Sequence, residues 1–134
     1  MISAPLTLAQ KQARAAKLEP YEMRLRELRR AAKGAHAALS GLIGERLALH
    51  QERQDLARYI AQWGVDLQRN PRVPGTPEDP KLAGARIDLK MVEQRLAELE
   101  TAIESAQAAW KPQIKLLTAC EEWLEDNTGR IANG

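Results

Sequence analysis

Length, composition and charge already exclude several classes of protein. The 134 residues carry 20 Lys and Arg against 18 Asp and Glu, and a net charge of +2 is too small to imply a polyanionic partner. The single Cys excludes an intramolecular disulfide. No apolar run reaches the length of a membrane-spanning helix. We therefore predict one soluble, cytoplasmic domain, or a virion-associated one if a phage encodes it.

The first segment, residues 1–19, is predicted to be a short basic helical arm. Thr7 and Gln10 have the spacing of a capping box, in which each side-chain oxygen accepts a hydrogen bond from the backbone N–H of the other residue. The stretch from Leu8 to Leu18 is rich in helix-forming residues. Pro20 lacks the backbone donor that a helix interior needs, so we predict that a new helix starts there.

Two long segments, residues 20–69 and 80–126, carry apolar residues spaced alternately three and four apart. On the first segment this seam reads Leu18, Tyr21, Leu25, Leu28, Ala32, Ala35, Leu39, Leu42, Arg46, Leu49, Arg53, Leu56, Ile60, Trp63 and Leu67. On the second it reads Leu82, Ala85, Leu89, Val92, Leu96, Leu99, Ile103, Ala106, Trp110, Gln113, Leu117, Cys120 and Leu124. Such a seam is buried only against a partner helix. The pattern predicts an all-α fold, a long antiparallel helical hairpin that forms a two-helix coiled coil and ends in a polar tail, residues 127–134.

The connector between the two segments, residues 70–80, reads NPRVPGTPEDP. Its four prolines are three residues apart, a spacing typical of polyproline II peptides that bind aromatic grooves. A stiff turn that reverses the chain is the alternative interpretation, and the sequence leaves both open. Asp79 followed by Pro80 has the form of an N-cap and a first helical residue, which predicts where the second helix begins.

The connector also suggests how the two seams face one another. A turn centred on Thr76 predicts that Leu56 lies opposite Leu96 and that Leu28 lies opposite Leu124. The charges that this register brings together are Arg29 with Glu121, Glu52 with Arg95, and Arg46 and Arg53 with Glu98, Glu100 or Glu104. Opposite charges flanking a coiled-coil seam stabilise a particular pairing.

A second set of apolar residues remains outside the seam. Its members are Ile43, Leu47, Ala102, Ala109, Leu116 and Trp123. Two helices cannot cover a second apolar strip, so a second copy, the N-terminal arm or another protein must do so. All of them except Ala102 form the predicted protein interface, and we expect a homodimer that closes into a helical bundle.

Residue patterns typical of enzymes are absent from the sequence. His36 and His50 have no matching Cys or acidic cluster, which argues against a metal site. Cys120 occupies a seam position, where a thiol packs as a small apolar group. No phosphate-binding glycine loop or nucleophile triad is present. We predict a non-enzyme with no cofactor, no metal and no small-molecule substrate.

The basic stretch between Lys11 and Lys33 raises the alternative of nucleic-acid binding. Within it, Lys11, Arg14 and Lys17 are the candidate phosphate contacts, because the acidic end of the second helix would neutralise the later arginines. The leading hypothesis is a coiled-coil interaction or assembly protein. The Ala-, Arg- and Leu-rich composition of the chain is typical of a bacterial or phage accessory protein, such as a structural, adaptor or inhibitor subunit.

Overall fold

The computed structural model describes residues 5–134, which form two α-helices joined by the proline-rich connector. Helix α1 spans Leu8–Arg69 and helix α2 spans Pro80–Asn133, and no strand occurs in the described residues. The two helices pack against each other as an all-α helical hairpin. The predicted fold class is therefore confirmed.

Helix α1 begins earlier than Pro20. The Thr7 backbone N–H donates to Gln10 Oε1 at 2.9 Å and the Gln10 N–H donates to Thr7 Oγ1 at 3.2 Å, which confirms the capping box. The helix then continues through Pro20 without interruption, so the predicted helix start there is wrong. Pro20 leaves the carbonyl of Ala16 without its usual helical donor, but both residues are exposed and water can hydrate that carbonyl. Residues 1–4 of the predicted arm lie outside the described residues.

Helix α2 also ends later than the sequence predicts, at Asn133. The predicted polar tail is helical because its side chains are compatible with the helix. Asn127 Nδ2 donates to the Trp123 carbonyl at 2.7 Å, and Thr128 Oγ1 donates to the Leu124 carbonyl at 2.5 Å. Ala132 is buried, so packing continues beyond Asp126.

The chain divides into two compact units, each with its own core. The terminal unit contains the described residues up to Ala37 together with Gln107–Gly134, and the connector unit contains Ala38–Ala106. Buried hydrophobic residues of the terminal unit are Leu25, Leu28, Ala32 and Ala132. Those of the connector unit are Leu39, Leu82, Ala85, Val92, Leu96, Leu99 and Ile103. All of them except Ala132 lie on the predicted seams, which confirms the heptad assignment.

In the terminal unit the two helices are displaced from the predicted register. Tyr21 and Leu124 line the same groove, whereas the prediction placed Leu28 opposite Leu124. The rings of Tyr21 and Trp123 lie 5.6 Å apart, centroid to centroid. The observed partner on α1 is thus seven residues, or one heptad, earlier than expected.

The connector unit has the same displacement. Arg95 Nε and Nη2 donate to the two carboxylate oxygens of Glu45 at 2.8 Å and 3.1 Å, whereas the predicted partner was Glu52. Arg46 Nη1 lies 3.5 Å from Glu100, one of its predicted partners. The predicted register is wrong by one heptad, because sliding a heptad seam by seven residues again aligns apolar layers.

The conformation of the connector explains the choice between the two registers. The chain turns at Val73 to Thr76, where the Thr76 N–H donates to the Val73 carbonyl at 3.1 Å and Gly75 has a φ of 86°. Positive φ favours glycine and interrupts a continuous polyproline II run. The segment from Thr76 to Asp79 then shares a cavity with Trp63 and Leu67, so the chain has already reversed at Thr76 rather than turning symmetrically about it.

Polar contacts hold the connector in this shape. Arg72 Nη1 donates to the Pro77 carbonyl at 3.0 Å, and Arg72 Nη2 lies 3.7 Å from Asp79 Oδ2. Asp79 Oδ1 accepts the Lys81 backbone N–H at 2.8 Å, which confirms the predicted N-cap. These contacts favour the stiff-turn interpretation of the four prolines.

We expect the carboxyl group of Glu45 to report the register directly. Its hydrogen bonds to Arg95 lower the pKa of Glu45 below the ordinary value for glutamate. Because the pKa of Glu45 is lower in the folded state, the Glu45–Arg95 pair stabilises the fold fully at pH values above the ordinary glutamate pKa. This stabilisation is lost as the pH falls through the lowered, folded-state pKa. An NMR titration of the folded protein measures the pKa of Glu45.

In that titration, Arg95→Gln should return the Glu45 pKa toward the ordinary value, whereas Glu52→Gln should leave it unchanged. If wild-type Glu45 titrates at the ordinary value, or if Glu52→Gln shifts it as much as Arg95→Gln does, the observed register is contradicted.

Candidate protein-binding site

The terminal unit contains an open apolar groove with a volume of about 310 Å³. Its lining residues are Tyr21, Arg24 and Leu25 from α1 and Ala119, Cys120, Trp123 and Leu124 from α2. Arg24 is the one charged residue in this lining, and its Nη1 lies 3.2 Å from Glu27 Oε2 on the same helix. The groove is thus a predominantly apolar surface that solvent can reach.

Heptad positions explain why large apolar side chains are exposed beside the groove. Leu116 and Trp123 each directly precede a seam residue of α2, so they lie on a flank of the seam. Their side chains are 47% and 45% exposed. Tyr21 occupies a seam position yet remains exposed, and its ring packs against Trp123. The aromatic pair therefore forms one wall of the groove with much of its area still accessible.

Cys120 lies in the lining of this groove and is half-buried. Leu25 is its neighbour in the lining, whereas the predicted register placed Ala32 there. The surrounding side chains are mainly apolar, which suits a thiol that packs as a small hydrophobic group.

The five residues of the predicted interface fall into two separate groups. Ile43 and Leu47 belong to the connector unit and are 38% and 73% exposed. Ala109, Leu116 and Trp123 belong to the terminal unit. All five are exposed, but Trp123 is the one member of the five that lines the groove.

Sequence reasoning missed Tyr21 and Ala119 as members of the site. Tyr21 was assigned to the buried seam, although a phenol hydroxyl avoids burial without a hydrogen-bond partner. Ala119 belongs to a second series on α2, in which Pro112, Leu116, Ala119 and Trp123 are spaced alternately four and three residues apart. This series could have been found in the sequence.

The candidate phosphate contacts occupy the first turns of α1. Lys11 and Lys17 are exposed, whereas Arg14 is half-buried and its guanidinium donates to the side-chain oxygen of Asn133. One of the three is therefore engaged in contacts within the terminal unit. Arg29 Nε lies 3.3 Å from Glu121 Oε1, which confirms the expected pairing between the basic stretch and the acidic end of α2.

The histidines offer no metal-binding geometry. His36 packs against the indole of Trp110 at a centroid distance of 5.6 Å. Over residues 5–134, no group of three or more His, Cys, Asp or Glu side chains is arranged to hold a metal ion.

Together, the two helices and the groove define an all-α helical hairpin with an accessible apolar surface in its terminal unit. Neither helix, over its described length, is apolar enough to cross a membrane. Comparison with protein-family models, curated proteins and solved structures finds no match to this chain.

Proposed function

We propose that this chain is a non-enzymatic interaction or assembly protein that binds another protein through the groove of its terminal unit. The observation that carries the proposal is the exposure of Tyr21, Leu116 and Trp123 around an apolar groove. Large exposed apolar patches mark binding surfaces, and aromatic side chains dominate the energetics of such surfaces.

The surroundings of the groove have the composition of an interface. Arg24 is the charged residue of its lining, and on α2 the exposed Lys115 and Glu122 directly precede Leu116 and Trp123 in the sequence. An apolar centre with a polar rim is the usual anatomy of a protein interface. A role as a bacterial or phage accessory subunit, in the cytoplasm or in a virion, is part of this proposal and draws on the Ala, Arg and Leu-rich composition.

Affinity capture with matched variants tests the proposal. Wild-type chain, Trp123→Ala and Met91→Ala are immobilised, and an extract of the native host is passed over each. Met91 is exposed in the connector unit, so its variant controls for loss of a large apolar side chain elsewhere. We expect a retained protein that wild type and Met91→Ala hold equally and that Trp123→Ala holds about tenfold less, as for loss of a hot-spot residue. Equal retention by all three chains would refute the groove as the binding surface.

Nucleic-acid binding is the alternative, and fluorescence anisotropy distinguishes the two. At about 150 mM salt, where charges are screened over roughly 8 Å, we expect no saturable binding of labelled DNA or RNA by the wild-type chain. Sequence-independent binding at that salt, lost when Lys11, Arg14 and Lys17 are all changed to Ala, would favour the alternative.

A further inference from the structure

The α1 wall of the groove carries a positive charge on each side of its aromatic residue. Lys17, Tyr21 and Arg24 are spaced four and three residues apart, so they share one face of α1, and all three are exposed. The two cations are about 10 Å apart along the helix axis, with Tyr21 between them. Lys17 forms no ion pair with any residue in positions 5–134, and Arg24 contacts Glu27 through Nη1 alone. Both cations can therefore take a further acidic partner.

The acidic residues nearest in sequence do not neutralise this wall. Glu22 lies on the other flank of the seam, where it lines a separate cavity, and Glu19 lies further round the helix. On the α2 edge of the groove, the exposed Lys115 and Glu122 are of opposite sign and offset each other. Within the described residues, the excess positive charge beside the groove thus lies on α1.

The α2 wall supplies an apolar surface along the same groove. Pro112, Leu116, Ala119 and Trp123 are all exposed, and their spacings of four, three and four residues place them on one face of α2. This series extends over about 16 Å, or roughly three helical turns. A helix that packs in such a groove presents apolar residues at the same spacing.

We propose that the groove binds an amphipathic helix of another protein, with its apolar stripe against Leu116 and Trp123 and acidic residues along the flank that faces α1. This inference rests on the proposed function and names the chemistry of its partner. Two acidic residues seven apart on the bound helix are also about 10 Å apart, so they can meet Lys17 and Arg24 together. The free Nε and Nη2 of Arg24 can hold one carboxylate through two parallel hydrogen bonds, which fixes its position as well as its sign.

An acidic helix fits this surface better than a polynucleotide does. Double-stranded DNA carries one negative charge per about 1.7 Å of its axis. Along the groove it would bring phosphates against the exposed Glu122 and Asp126 as well as against Lys17 and Arg24. A helix can carry its acidic residues on one flank alone, which matches a groove with one basic wall.

Binding of two designed peptides tests this charge preference. Both are helix formers of about 20 residues with a Leu stripe; the acidic peptide has Glu along one flank, and the basic peptide has Lys there instead. By fluorescence anisotropy at about 150 mM salt, we expect wild type to bind the acidic peptide about tenfold more tightly than the basic one. Lys17→Glu combined with Arg24→Glu should reverse the preference. Arg58→Glu combined with Lys90→Glu makes the same change in net charge at exposed sites of the connector unit and should leave the preference unchanged.

Equal affinity for the two peptides, binding of neither, or an unchanged preference in the Lys17→Glu and Arg24→Glu double variant would overturn the inference. Tighter binding of labelled DNA than of the acidic peptide at the same salt would assign the basic wall to nucleic acid. A wild type that sediments as a dimer and binds neither peptide would assign the surface to a second copy.

Trp123→Ala separates failure of this inference from failure of the proposed function. If both peptides bind equally and Trp123→Ala abolishes that binding, the acidic partner is refuted and the groove remains a binding surface. If Trp123→Ala alters neither peptide binding nor capture from the host extract, both proposals are refuted.

Discussion

We expect Leu99→Ala to lower the free energy of unfolding by about 2 to 5 kcal/mol, the usual cost of removing a large core side chain and leaving a cavity. Leu99 is 0% exposed and is the largest fully buried side chain of the described residues. It lies on the seam of α2 in the connector unit, with Leu96 and Ile103 also buried on the same helix. Urea denaturation followed by circular dichroism measures the change.

Leu47→Ala is the matched control for Leu99→Ala. It deletes the same atoms from the same unit, but Leu47 is exposed, so we expect a change within about 0.5 kcal/mol. Leu99→Met, which conserves volume, should cost less than about 1.5 kcal/mol. Equal losses for Leu99→Ala and Leu47→Ala would mean that the seam is not the core of this unit.

We expect Gln113→Leu to raise the free energy of unfolding by about 1 to 3 kcal/mol, the cost of a buried polar group that lacks a hydrogen-bond partner. Gln113 occupies a seam position of α2, and its side-chain oxygen is buried with no partner in residues 5–134. The indole N–H of Trp110, three residues earlier, is in the same condition. Leucine suits the seam position and removes the unpaired oxygen.

Gln107→Leu provides the comparison for this substitution. Gln107 belongs to the same unit and is exposed, so the same chemical change should alter stability by no more than about 0.5 kcal/mol. Both variants are measured at one protein concentration, because any self-association would make stability depend on concentration. A Gln113→Leu protein less stable than wild type would indicate that this amide makes a hydrogen bond that matters to the fold.

The core could be predicted from the sequence because the apolar spacing is long and regular. Leu25, Val92 and Leu99 were all assigned to the seams by spacing alone, and all are buried. The helix ends were predicted less well. Helix α1 continues through Pro20, where the unpaired Ala16 carbonyl is exposed to water, and the exposure of that carbonyl depends on the folded structure.

The register could not be predicted from the seam, because the heptad pattern is unchanged by a slide of seven residues. The deciding feature is the path of the connector, which turns at Val73 to Thr76 with a positive φ at Gly75 and is held by the hydrogen bond from Arg72 to Pro77. Such contacts depend on loop geometry that proline spacing does not specify.

The candidate site could be predicted only in part, because one of its walls depends on the register of the two helices. Leu116 and Trp123 stood out as apolar residues outside the seam, and both are exposed. Tyr21 lies beside Trp123 only in the observed register, so it could not be assigned to the groove from a register displaced by one heptad. Ala119 precedes Trp123 by four residues on the same helix, so its place beside Trp123 follows from helical spacing alone.

The central claim is that the two helices form a hairpin in the observed register, since the composition of the groove depends on it. Disulfide formation between introduced cysteines tests it in a Cys120→Ser background. Leu56→Cys with Leu89→Cys joins residues that face each other in this register, and we expect rapid intramolecular crosslinking. Leu56→Cys with Leu96→Cys joins residues one heptad out of register, about 10 Å further apart along the axis, and should not crosslink. Preferential crosslinking of Leu56→Cys with Leu96→Cys would contradict the account.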